Sequence, residues 1–266
     1  MKHIFTVIAV VLATLLPSLT SAGSAETTTA QLPQQKVARY AKQLEHDLAQ
    51  RGANIAIVGR IGRDPDTLPT GIDYTHVAYW VYSQITKADG TTTKGYRVYN
   101  LYQTADDPTV SKLVQDSPAE FFAGVYQLDA GVIVPDPRLQ KKLLSVISSP
   151  TYADLHNSDY SVLANPKTAQ FQNCTEHTLD VLMASLYDTS DRGQIKANIT
   201  AHFEPQPIRI SGFKRLLAPV KSATLTTADH ASDIGTATFG SIARFMVSHD
   251  LSEQVYRFTP KGAAPF

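Results

Sequence analysis

Apolar side chains recur at three- and four-residue steps through Val37, Tyr40, Ala41, Leu44 and Leu48, with Gly52 just beyond. That spacing predicts an amphipathic helix closed by a glycine in the left-handed conformation. Residues 54–60 read as a strand, followed by a turn-rich stretch containing Gly62, Pro65, Pro69 and Gly71. Residues 74–82 and 96–102 are dense in aromatic and β-branched side chains, and Ala88-Asp89-Gly90 between them supplies turn chemistry, so an antiparallel hairpin is predicted. Ser117-Pro118-Ala119-Glu120 has the serine, first-turn proline and reach-back glutamate of a capped helix start. Asp136-Pro137 opens another helix, with Leu139, Leu143, Val146 and Ile147 on one face, and residues 130–134 form a short buried strand between the two.

Farther along, residues 151–172 show no period, and Asn165-Pro166 forces an extended turn. Residues 175–187 read as a buried helix, 208–217 and 222–227 as strands, and 237–248 as a last helix. The order predicts an α+β fold, a small antiparallel sheet packed on helices, with a β-rich final third.

The first residues differ in kind. Lys2 and His3 precede an apolar run at 4–16, Pro17 interrupts it, and small residues follow at Thr20, Ala22 and Ala25. This is the pattern of a secretory signal peptide over 1–22, then a flexible polar linker over 23–35 and one domain over 36–266. The apolar run is shorter than the roughly 20 residues a membrane-spanning helix needs, so the mature chain is expected to carry no transmembrane segment and to be periplasmic or secreted. Lys+Arg and Asp+Glu number 24 each, a balance that implies neither a nucleic-acid partner nor an anionic membrane surface.

Against that background the single cysteine stands out, because exported domains usually pair their cysteines. Cys174 follows Asn173 and precedes Glu176, a capping-type pair, which places the thiol at the first position of a helix. Unpaired N–H groups and the helix dipole there favour a thiolate. The competing reading is a buried small hydrophobe. A nucleophile needs a base, and among eight histidines His76 lies inside an apolar strand. Asn100 is polar within the apolar run of the next strand, and strand pairing would let it orient the imidazole. His76, Cys174, His177 and a carboxylate match no zinc spacing, so no metal and no cofactor is expected. Asp229-His230 reads as a solvated turn, and His46, His156, His202 and His249 as structural.

Tyr74-Thr75-His76-Val77 and Cys174-Thr175-Glu176 resemble the histidine strand and Cys-x-Glu helix start of the circularly permuted papain-like NlpC-type thiol hydrolases, the branch that includes the lecithin:retinol acyltransferase group. That group has Asn-Cys-Glu-His where this chain has Asn173-Cys174-Thr175-Glu176-His177, one residue more. The whole mature chain is also similar to a family of exported bacterial proteins defined as a domain of unknown function. The permuted papain-like resemblance implies a Cys174–His76–Asn100 site acting on an amide or ester carbonyl through a thioester. Gln172 or Asn173 would donate to an oxyanion and Tyr74 would wall the pocket. The substrate would be a small molecule, a peptide or a lipid acyl group, and the outcome hydrolysis or acyl transfer. The alternative is a non-catalytic binding or accessory protein on the same scaffold.

Overall fold

A computed structural model describes residues 30–86, 89–209 and 223–266. The expected signal peptide, most of the linker, Ala88 of the hairpin turn and most of the predicted strand at 208–217 lie outside the described residues. No helix among the described residues is long and apolar enough to cross a membrane.

Helix α1 (Gln34–Gln50) buries the five apolar positions read from its period, and Gly52 beyond it has φ +68°. Strand β1 (Ile55–Arg60) follows, then the long strands β2 (His76–Thr86) and β3 (Thr92–Gln103), paired antiparallel as the hairpin pattern predicts. Strand β4 (Ser111–Asp116) leads into the short α2 (Pro118–Phe121), where Ser117 and Glu120 form the expected reciprocal cap. Strand β5 (Ala130–Pro135) precedes α3 (Pro137–Ile147), capped by Asp136, and α4 (Thr151–Asp154). Helix α5 (Cys174–Tyr187) is buried along nearly its whole length.

Among the described residues the final third holds helices as well as strands. It holds α6 (Arg192–His202), the two-residue strands β6 (Gln206–Pro207) and β7 (Gly235–Thr236), α7 (Phe239–Ser248), and the hairpin β8 (Ser252–Thr259) and β9 (Gly262–Pro265). The strand predicted at 222–227 is not one where it is described: residues 223–225 make a 3-10 turn. Helix α6 escapes a periodicity reading because only Ile195 and Ile199 on it are buried.

Seven strands form one antiparallel sheet in the order β4-β3-β2-β1-β5-β8-β9. Side chains alternate along each strand, so the sheet has two faces with different covers. Ile55, Ile57, Val77, Tyr79, Val81 and Ile133 face α3, α5 and α7. Ala56, Val58, Ala78, Trp80, Val98 and Val132 face α1 and α2. Each fully buried aliphatic or aromatic side chain contributes about 1.5–3 kcal/mol, so both layers are needed to hold the sheet.

Two glycines shape the first face. Gly59 and Gly131 are cross-strand partners, and a Cβ on Gly131 would stand 2.5 Å from the Phe239 ring and 2.7 Å from the Tyr74 ring. Their missing side chains leave a trough in which these rings meet edge to face, centroids 4.9 Å apart. On the other face α1 is clasped by the end of the chain. Tyr40 donates to the Phe258 carbonyl at 2.6 Å, Tyr256 donates to Asp47 at 2.6 Å, and Arg51 reaches Gln254.

Candidate functional site

His76 opens β2 opposite Arg60 of β1, and Asn100, Tyr102 and Asp116 come from β3 and β4. All five lie on the α1 face. Asn100 Nδ2 donates to Asp116 Oδ2 at 2.7 Å, which leaves its Oδ1 to accept from His76 Nε2 at 2.9 Å. A carboxylate can only accept, so Asp116 fixes the amide orientation, and the amide fixes the imidazole as the Nε2–H tautomer. Tyr102 also donates to Asp116 Oδ2, at 2.7 Å, and its ring stacks on the imidazole at 4.9 Å and 14°. The Arg60 charge opposes the burial that raises the Tyr102 pKa, and its guanidinium lies over Phe121. Complete burial, and secondarily the Arg60 charge, hold His76 well below the usual histidine pKa, so it is neutral. Its Nδ1 and the Nε of Arg60 are buried with no hydrogen-bond partner among the described residues.

Cys174 lies elsewhere. It is the first residue of α5, capped by Asn173, whose Oδ1 accepts from Glu176 N at 2.9 Å. Helix α5 covers the face that carries Val77 and Tyr79, and the Tyr79 hydroxyl donates to the Thr178 carbonyl at 2.7 Å. The thiol packs with Leu101 and Tyr160. Leu101 sits between Asn100 and Tyr102 in β3 and therefore points to the opposite face from them. The structure thus brings His76 and Asn100 together and does not bring Cys174 to them: the backbone of β2 and β3 runs between sulfur and imidazole. Strand parity is the physical reason, since Val77, one residue on, is the side chain that turns toward α5.

The residues expected to bind substrate are engaged internally. Gln172 donates to the Leu155 carbonyl at 3.0 Å and to Asp180 at 2.9 Å, and accepts from Asn157 N at 2.8 Å. Asn173 donates to the Val162 carbonyl at 3.0 Å besides capping α5. Tyr74 lies in the glycine trough on the α5 face and donates to Asp129 at 3.1 Å.

Sequence reasoning missed a buried charge cluster beside the cysteine. Lys196 of α6 is 2.7 Å from Glu176 and 2.7 Å from Asp180. Burial, with Asp180 and Asp229 adding to it, raises the Glu176 pKa well above its usual value despite the opposing Lys196 charge. Burial alone would lower Lys196, but the two carboxylates more than offset it and leave its pKa raised. Asp229 and His230 are not a solvated turn: both are buried, Asp229 accepts from Asn165 N at 2.7 Å, and His230 Nε2 donates to the Leu163 carbonyl at 2.7 Å. The signal was the i, i+4 spacing of Glu176 and Asp180 inside an otherwise apolar helix, which demands a buried cation. Among the described residues no group of three or more His, Cys, Asp or Glu is arranged to hold a metal ion.

A mixed α+β body with a seven-stranded antiparallel sheet and a buried polar network on each face of it defines the structural class. The model of the bacterial family described as "Uncharacterized protein conserved in bacteria (DUF2145)" matches residues 47–246, about three quarters of the chain, and the protein belongs to that family. No curated protein and no solved structure matches the chain.

Proposed function

We propose that this chain is an exported, non-catalytic binding or accessory protein. The observation that carries the reading is the sheet standing between Cys174 and His76, together with the internal engagement of Gln172 and Asn173. A groove of about 390 Å³ between α1 and α2, beside the middle of β3 and the end of β4, offers a surface for a ligand. Its floor includes Ala41, Tyr96 and Pro118, and Lys42, Arg97 and Asp116 stand around it. That volume and the mixture of apolar floor and few charges suit a small molecule or a short peptide. The test is thermal shift of the wild-type protein against a panel of envelope peptides, amides and fatty acyl compounds. At least one should raise Tm, and Ala38→Trp, which fills the groove from an exposed position, should abolish the rise. A flat response across the panel removes the groove from the reading.

The thiol hydrolase or acyltransferase on a circularly permuted papain-like scaffold is the second reading. What favours it is His76 itself, whose fixed tautomer leaves Nδ1 as an unprotonated, unpaired acceptor of the kind a general base needs. In that chemistry Cys174 would attack a carbonyl, His76 would carry the proton, and a thioester would be hydrolysed or passed to an acceptor. An iodoacetamide probe separates the readings. Binding protein: slow labelling of Cys174, unchanged by His76→Ala. Hydrolase: fast labelling that His76→Ala abolishes.

A further inference from the structure

Lys196 of α6 is held by two carboxyl groups of α5. Glu176 and Asp180 stand one helical turn apart, so both reach the same ammonium, and the side chains of Glu176, Asp180 and Lys196 are only 1 %, 5 % and 12 % exposed. The two contacts differ in kind. Lys196 Nζ donates to both oxygens of Asp180, at 2.7 and 3.0 Å, and Gln172 Nε2 donates to Asp180 Oδ2 at 2.9 Å. Glu176 is touched through Oε1 alone, at 2.7 Å, and its Oε2 is buried with no hydrogen-bond partner among the described residues. Leu179 and Ile195, the chain neighbours of Asp180 and Lys196, belong to the apolar core.

One ammonium cannot balance two buried carboxylates, and the nearby Arg192 bonds the Asp154 and His156 carbonyls instead. The three groups are neutral together when one carboxyl keeps its proton. Asp180, with donors on both oxygens, is the one stabilised as a carboxylate, and Glu176, with a single donor, is the acid. Burial acts in the same sense, raising Asp180 and taking Glu176 well above its usual value. An amine nitrogen is thus fixed between a proton acceptor and a neutral carboxylic acid, where bulk water is excluded.

We propose that Lys196 and Glu176 condense to an intramolecular amide that joins α5 to α6 covalently. Asp180 takes one proton from the Nζ ammonium, the freed lone pair attacks Glu176 Cδ, and a C–N bond forms as the C–Oε2 bond breaks. Oε2, the oxygen without a partner, leaves as water with the carboxyl proton and a second proton from Nζ. The third Nζ proton stays on the amide nitrogen, and Asp180 ends as a neutral acid. The reaction replaces a buried ammonium and carboxylate by two neutral groups and so removes their desolvation cost. Groups already in contact react with an effective molarity of up to about 10⁵–10⁸ M, which offsets the preference of water for the separate acid and amine. A cavity of about 10 Å³ beside the three side chains has room for one water, the leaving group.

Intact-mass spectrometry of the purified chain, folded, incubated and then denatured, tests this. The wild type should be lighter by one water than the mass calculated from its own N-terminus. Protease digestion should give a branched peptide that joins the segment holding Glu176 to the segment holding Lys196, with fragment ions placing the bond between those two residues. Lys196→Arg and Asp180→Asn should both show their full calculated masses, the first because a guanidinium is a poor nucleophile, the second because the proton acceptor is gone. A folded wild type that keeps its full mass after prolonged incubation overturns the proposal, whether or not the variants fold. A missing water traced to any other pair, Lys196 with Asp180 included, overturns it as well.

Discussion

The two faces of the sheet solve the same problem in different ways. On the α1 face a hydrogen-bonded chain from Tyr102 through Asp116 and Asn100 to His76 is assembled from three adjacent strands, with Arg60 of a fourth paired opposite His76. On the α5 face the polar groups come from one helix and its neighbour, and a single ammonium, Lys196, serves two carboxylates. The first network aligns strands and carries little unbalanced charge. The second concentrates charge where burial makes each missing partner expensive, so the α5 face should be the more sensitive to loss of one side chain.

The sharpest way to break that contrast is Lys196→Ala, which leaves Glu176 and Asp180 buried without their cation and should cost about 3–5 kcal/mol in urea unfolding. Asn100→Ala on the other face strands one donor of His76 and one acceptor of Asp116 and should cost about 2–3 kcal/mol. Equal losses from the two variants would erase the distinction. Gly131→Ala drives a methyl group into the Phe239 and Tyr74 rings and should cost about 1–3 kcal/mol, read from the same unfolding curves.

Acid sharpens the comparison further. His177, buried and donating Nε2–H to the Tyr152 carbonyl at 3.1 Å, has its pKa lowered to about 3, chiefly by burial. A depressed basic group is neutral in the fold and charges on unfolding, so its contribution is complete above pH about 6.5 and is lost toward pH about 3. The slope is about 1.4 kcal/mol per pH unit. Comparing unfolding at pH 7 and pH 5 in the wild type and in His177→Gln should show this part of the acid sensitivity removed in the variant. The smallest effect belongs to Cys174→Ala, about 1 kcal/mol from lost packing against Leu101 and Tyr160.

Local patterns in the sequence carried much of the fold. The period of α1, the caps of α2 and α3, the β2–β3 hairpin and the start of α5 at Cys174 are all decided by nearby residues, and all are where the pattern puts them. Strand β8 takes its place in the sheet by pairing with the distant β5, and that partner leaves no local trace in its own sequence. The meeting of His76 with Asn100 was legible because adjacent strands of a hairpin fix register. The position of Cys174 was not, because which face a helix covers is decided by the whole core. A single step in strand parity, His76 against Val77, reverses the outcome.

The clasp between α1 and β8 also sets an order of assembly. Tyr40 meets its carbonyl partner 218 residues later, and Asp47 meets Tyr256. A chain handled from its N-terminus can form α1 early but cannot seat it until β8 is present. Strand β8 therefore acts as a timer, keeping α1 unseated until it arrives.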